Sequence, residues 1–184
     1  MPILFASHNF SLSVVRNQHV TAWRTVESHS EAIMTTSASN IEELKALVGT
    51  DLGYGELLTV TQEQVNLFAD ATGDHQWIHV DPERAKAGPF GGPIAHGYLT
   101  LSLIPTLIGG LLKVEGVKMG VNYGTNKVRF MSPVPVGAQI HARASVADVE
   151  EIAGGAQVSL DVVVEVKDAA KPSCVAQVVY RHYY

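Results

Sequence analysis

Between His96 and Leu112 the chain is apolar on nearly every face a helix could present, and everything that follows is strand-like. A helix without a polar stripe is stable only when other parts of the fold surround it. The segments Val121–Phe130, Ala138–Val149, Gln157–Lys167 and Cys174–His182 are long enough to do so. Gly154-Gly155 marks a hairpin turn between the second and third of them, and Lys167–Pro172 marks a further connection. One buried helix and a run of long antiparallel strands predict an α+β domain, a sheet wrapped around a helix. The apolar run is broken by Gly and Pro and is too short to span a bilayer.

Upstream of this core the punctuation is clear from Asn40 onward. Ile41, Leu44, Leu47 and Val48 recur at helical spacing, with Asn40 as N-cap and Gly49 as stop. Glu56–Val60 reads as a short strand. Thr61-Gln62-Glu63-Gln64 is a capping-box pattern that opens a second helix, which Gly73 ends. Asp74–Pro93 reads as irregular, apart from one helical piece at Pro82–Ala87. Residues 1–39 lack a clean periodicity and read as a disordered or non-essential extension, with Met34 as the natural start of the folded protein. Residues 40–184 then form the single domain that 184 residues suggest, with no internal repeat.

Composition narrows the class. Hydrophobic residues at 46% and charged residues at 17% supply a sizeable core. A net charge of −5 argues against a nucleic-acid partner, which needs a basic face. Cys174 stands alone, so neither an intrachain disulfide nor a cysteine metal cluster forms, and a reducing, cytoplasmic setting fits. Nothing in the pattern calls for a membrane.

Chemistry concentrates between Phe68 and Gly97. The run reads F-A-D-A-T-G-D-H-Q-W-I-H-V-D-P-E-R-A, then G-P-F-G-G-P-I-A-H-G. Taken singly, Asp74 is explained as a turn residue after Gly73 and His79 as a histidine satisfied by a carbonyl. Their combination is harder to explain that way. Asp74, His79, Asp81, His96 and Gly97 match, position by position, the signature of MaoC-like (R)-specific enoyl-CoA hydratases. That signature is Gly-Asp, four residues, His, an acidic residue two further on, and a later Ala-His-Gly. Gly120–Phe130 is similar to the strand that follows the central helix in that family. One departure is Gln76-Trp77 in place of the commoner Asn-Pro, which puts substrate fit in doubt more than chemistry.

The resemblance implies a hot-dog fold and an Asp74/His79 acid–base pair that adds water to a trans-2-enoyl thioester, giving an (R)-3-hydroxyacyl thioester. Such a step deprotonates water at Cβ and protonates Cα, so both groups need proton affinities near working pH. Imidazole starts at about 6.5 and a carboxyl near 4, and the latter must be buried to rise. His79 is therefore assigned as base toward water and Asp74 as orienter and proton relay, the division between them staying open. The N–H of Gly97, at the start of the central helix, is the candidate oxyanion donor. His96 is read as bracing the loop or capping that helix, and Asp81 as an N-cap.

Tyr98 and Ser102 are candidates for the acyl pocket, and Lys118, Lys127 and Arg129 for the phosphates of coenzyme A. A metal reading of Asp74, His79, Asp81 and His96 has no H-E-x-x-H pair behind it, so no metal or other cofactor is expected. The partner expected is an acyl-CoA, with acyl-carrier protein as the alternative carrier. Two other readings stand beside the hydratase: a hot-dog thioesterase, and a catalytically silent acyl-binding module. A homodimer with active sites at the subunit interface is implied by the resemblance and by edge strands left open.

Overall fold

The computed structural model describes residues 34–184. The extension expected at the N-terminus lies, for residues 1–33, outside the described residues. Its last part belongs to the fold: β1 (Thr36–Ala38) sits before the expected boundary at Asn40 and places Ala38 in the core. β1 pairs in parallel with β4 (Leu112–Val114), the strand that follows the central helical region.

The first helix, α1 (Ile41–Ala46), is fixed by its cap. The Asn40 side chain accepts from the Glu43 amide at 2.9 Å, and the Glu43 carboxylate accepts from the Ser39 amide at 2.7 Å. Two short strands follow, β2 (Asp51–Tyr54) and β3 (Leu58–Thr59). The expected Glu56–Val60 strand is therefore shorter than its pattern, and β2 lies ahead of it. Gly55, between them, passes so close to the Leu107 carbonyl that any side chain there would collide with backbone.

The main sheet has six antiparallel strands. β5 (Met119–Phe130), β6 (Gln139–Ile152), β7 (Gly155–Val166) and β8 (Cys174–Tyr183) coincide with the four expected strands to within a few residues. Their order is β2-β6-β7-β8-β5, with β3 also on β6, so β5 is an edge strand. The turn from β6 to β7 has Gly154 at φ 76°, in the left-handed region open to glycine. Alternate side chains of the central strands face inward: Ala142 and Ala144 of β6, Val162 and Val164 of β7, and Cys174 of β8 are all buried.

What they pack against is not one helix. His96–Leu112 divides into α5 (Gly97–Ser102) and α6 (Ile104–Ile108), joined at Leu103. Pro105 causes the division. It has no N–H to offer the Leu101 carbonyl, and its ring crowds the preceding turn. The ladder passes the gap through Leu103 N–H to Leu99 O at 3.0 Å and Leu107 N–H to Leu103 O at 3.0 Å. Nor is the region buried all round. Leu99, Ile104, Leu107 and Ile108 face the sheet, whereas Tyr98, Ser102, Pro105 and Thr106 are exposed. The α+β hot-dog arrangement expected from the sequence is the one observed, with a broken and one-sided central helix. Among the described residues no helix is long and apolar enough to cross a membrane.

Candidate active site

The site is assembled by three segments of chain. The first is α2 (Gln62–Thr72), whose capping box is complete: the Thr61 hydroxyl accepts from the Gln64 amide, and the Gln64 side chain accepts from the Thr61 amide. Gly73 closes α2 at φ 81°, donating to Ala69 O. The very next residue is Asp74, so the helix stop sets where the carboxylate stands. Asp74 is exposed, and its Oδ1 accepts a long 3.4 Å bond from the Gln76 amide.

The second segment is α3 (Trp77–Val80), a single turn inside the stretch expected to be irregular. It carries His79. Gln62 of α2 donates to the His79 carbonyl at 2.7 Å and holds α3 against α2. After it, Asp81 caps α4 (Pro82–Lys86) by accepting from the Arg84 amide at 3.0 Å, in the role expected of it. Trp77 opens α3 and lies under the Arg84 guanidinium, 4.6 Å from its ring centroid. The residue that replaces the commoner proline thus packs α3 against α4 and does not line the cavity beside His79.

The third segment is the extended run Pro93–His96. Ile94 N–H bonds Ile78 O at 3.0 Å, Ala95 N–H bonds Val134 O at 2.8 Å, and Val136 N–H bonds Pro93 O at 2.9 Å. Clamped on both sides, Ile94 offers its carbonyl to His79 Nδ1 at 2.7 Å. A carbonyl only accepts, so Nδ1 carries the proton and Nε2 is left with its lone pair. His79 is 7% exposed, and burial lowers its proton affinity below the ordinary imidazole value, against the opposing pull of the Ile94 bond.

His96 stacks on His79, with ring centroids 3.8 Å apart and planes inclined 28°. Its Nε2 donates to the Asp74 carbonyl at 2.9 Å. It supplies the backbone start of α5 but makes no side-chain cap bond. Asp74, His79 and His96 bring one ligating atom each within 4.8 Å of one another.

Beside His79 lies a cavity of about 310 Å³. Gly97, Thr100, Phe130 and Val134 are among its walls, as are Ile94 and Ser173. Gly97 opens α5, where amides have no intrahelical acceptor. A methyl group on it would stand 3.0 Å from the Phe130 ring, so glycine is what admits both the ring and a ligand close to this amide. A larger open cleft of about 540 Å³ between Asn40, Glu115 and the β6–β7 turn holds no histidine and lies away from the pair.

The remaining expected residues separate from this cavity. Tyr98 is 68% exposed and meets the Phe130 ring edge-on at 5.7 Å, while Ser102 donates to Tyr98 O on the outer face of α5. Thr100 faces the cavity in their place, and helical phase could have found it, since Gly97, Thr100 and Ile104 share a face. Lys127 and Arg129 pair with Gln177 and Val175, on the face of the sheet opposite Phe130, and Lys118 precedes β5 at its far end. Ser173, Ser132 and Phe90 come from three separate loops, and no periodic signal joins them.

Known proteins resemble this chain in sequence and in fold. Residues 43–168 match the MaoC like domain family. The chain is 53% identical over 144 residues to 3-hydroxyacyl-thioester dehydratase Z of Mycobacterium tuberculosis, covering 78% of this chain and 95% of the relative. It is 44% identical over 140 residues to nodulation protein N of Rhizobium meliloti, covering 74% and 87%. In structure it is similar to a monoamine oxidase regulatory protein from an Archaeoglobus species, at TM-score 0.64 and 27% identity over 83% of this chain and 99% of that one. An (R)-hydratase from A. caviae shares the fold, at TM-score 0.55 and 24% identity over 68% and 93%. The chain belongs to the MaoC-like dehydratase family, and is a hydro-lyase.

Proposed function

We propose that this protein is an (R)-specific enoyl-CoA hydratase, working reversibly between a trans-2-enoyl thioester and the (R)-3-hydroxyacyl thioester. The observation that carries the reading is the meeting of Asp74 and His79 beside a cavity whose wall includes Gly97. His79 Nε2, unprotonated and held in one orientation by Ile94, takes a proton from water as the oxygen bonds to Cβ. Asp74 orients that water and relays a proton to Cα. The Gly97 amide donates to the thioester oxygen as it gains enolate charge, a contact that in comparable sites contributes on the order of 3–4 kcal/mol. Because α5 is short, the amide itself matters here more than a long helix dipole.

The reading needs no metal or other cofactor. Coenzyme A is the proposed carrier, its pantetheine leaving the cavity past Phe130. The same pathway class fits an acyl-carrier protein. A cytoplasmic setting is proposed for both.

The active form is proposed to be a homodimer. Among the described residues β5 has no partner on its outer edge, and Tyr98, Phe130 and Met131 form an exposed apolar group next to it. Asp74 is exposed in the single chain, so a second copy laid over this face would supply the burial a proton-relaying carboxyl needs. Hydration of crotonyl-CoA with chiral analysis of the product tests the function. Release of CoA thiol instead would identify a thioesterase, and full activity of Asp74→Asn and His79→Gln would point to other catalytic groups.

A further inference from the structure

His96 touches both members of the acid–base pair, by different parts of its ring. Its Nε2–H donates to the carbonyl of Asp74, and its face covers His79. It is 3% exposed and sandwiched, since Phe68 packs on it at a centroid distance of 5.0 Å. Phe68 belongs to α2, the helix whose end delivers Asp74. One side chain therefore joins α2, the Asp74 turn, α3 and the start of α5.

Asp74 has little else to fix it. It is exposed, and the bond its carboxylate accepts from Gln76 is long. A shift of about 1 Å in such a group can cost two orders of magnitude in rate. His79 depends on the same neighbour in another way. The ionisable groups that face it are His96 and Asp74; its ring N–H donates to the Ile94 carbonyl, its backbone carbonyl accepts from Gln62, and it borders the cavity. The His96 ring keeps water off one side of the imidazole.

We propose that His96 is the positioning residue of this site, its N–H fixing the backbone that carries Asp74 and its ring face fixing the His79 imidazole. This rests on the acid–base reading above. The two functions are separable by substitution. His96→Phe keeps a ring against His79 and removes the donor. His96→Gln keeps an amide N–H within reach of the Asp74 carbonyl and removes the ring.

The test compares both variants with wild type in crotonyl-CoA hydration, thermal midpoint and His79 ring-proton titration by NMR. His96→Phe is expected to lower kcat about 10- to 100-fold with KM within about twofold, and to leave the acid limb of the pH profile in place. His96→Gln is expected to keep kcat within about fivefold and to move the acid limb, and the His79 titration, to higher pH. Wild-type kcat and pH profile in both variants, or losses that track the thermal midpoint equally in both, would overturn the proposal. If wild type hydrates no enoyl thioester, the functional reading fails while the positioning role is still decided. The His79 titration must then rise only in His96→Gln, and the amide shifts of Thr72–Gln76 must change mainly in His96→Phe.

Discussion

The two members of the acid–base pair stand in opposite surroundings. His79 lies in the wall of the domain, 7% exposed, with its ring bonded to Ile94 and stacked on His96. Asp74 stands two residues beyond the end of α2, on the surface, with its backbone tied down and its carboxylate held only by one long bond. The difference teaches what each contributes from a single chain. The imidazole arrives desolvated and oriented. The carboxylate arrives placed but exposed.

The largest expected effects come from removing either member. Asp74→Asn and His79→Gln should each lower kcat by about 100-fold or more, measured by crotonyl-CoA hydration, because proton transfer in these reactions contributes about 10²–10⁴-fold. If only His79→Gln does so, the exposed carboxylate is dispensable and the contrast drawn above loses its functional meaning. Next is the oxyanion donor. Gly97→Ala would press a methyl group onto the Phe130 ring, and kcat should fall about tenfold or more as the amide is displaced.

Tyr98→Glu probes the missing cover over Asp74. In the single chain Tyr98 is 68% exposed, so monomer stability should change by no more than about 0.5 kcal/mol. If this face is the dimer contact, sedimentation should show monomers, with activity lost alongside. An unchanged dimer would place the partner elsewhere.

The pH profile bears on the other member. Burial lowers the proton affinity of His79, so the folded state binds its proton less readily than the unfolded chain does. His79 then stays neutral as pH falls through 6.5, and the acid limb of kcat/KM assigned to it should lie below that value. The stability attached to keeping it neutral is fully present above 6.5 and is lost progressively as pH falls below it. An acid limb above 6.5 would mean that the ring is more solvated in the working enzyme. Smallest is Asp81→Ala, which removes the cap on α4 and should lower stability by about 0.5–2 kcal/mol with kcat intact.

Much of this was legible before the structure because it is local. Caps at Asn40, Thr61 and Asp81, the stop at Gly73 and the four long strands each follow from a few neighbouring residues, and all are present. The motif also named Asp74 and His79, which the fold brings close together, and Gly97, which shares a cavity wall with His79. What escaped depends on distant chain. β1 and β4 pair across more than seventy residues with only three residues each, too few for a pattern. The partnership of His96 with the Asp74 carbonyl leaves no trace in composition. Two misses were avoidable. Pro105 announces the break between α5 and α6, and helical phase from Gly97 selects Thr100 over Tyr98 and Ser102.

The central claim is that Asp74 and His79 carry out hydration of an enoyl thioester. The most direct measurement follows crotonyl-CoA with the wild-type protein, Asp74→Asn and His79→Gln, recording loss of the enoyl absorbance, thiol release and product stereochemistry together. Expected are (R)-3-hydroxybutyryl-CoA from the wild type, no thiol release, and loss of activity in both variants. Thiol release in place of hydration, or hydration retained by both variants, would contradict it.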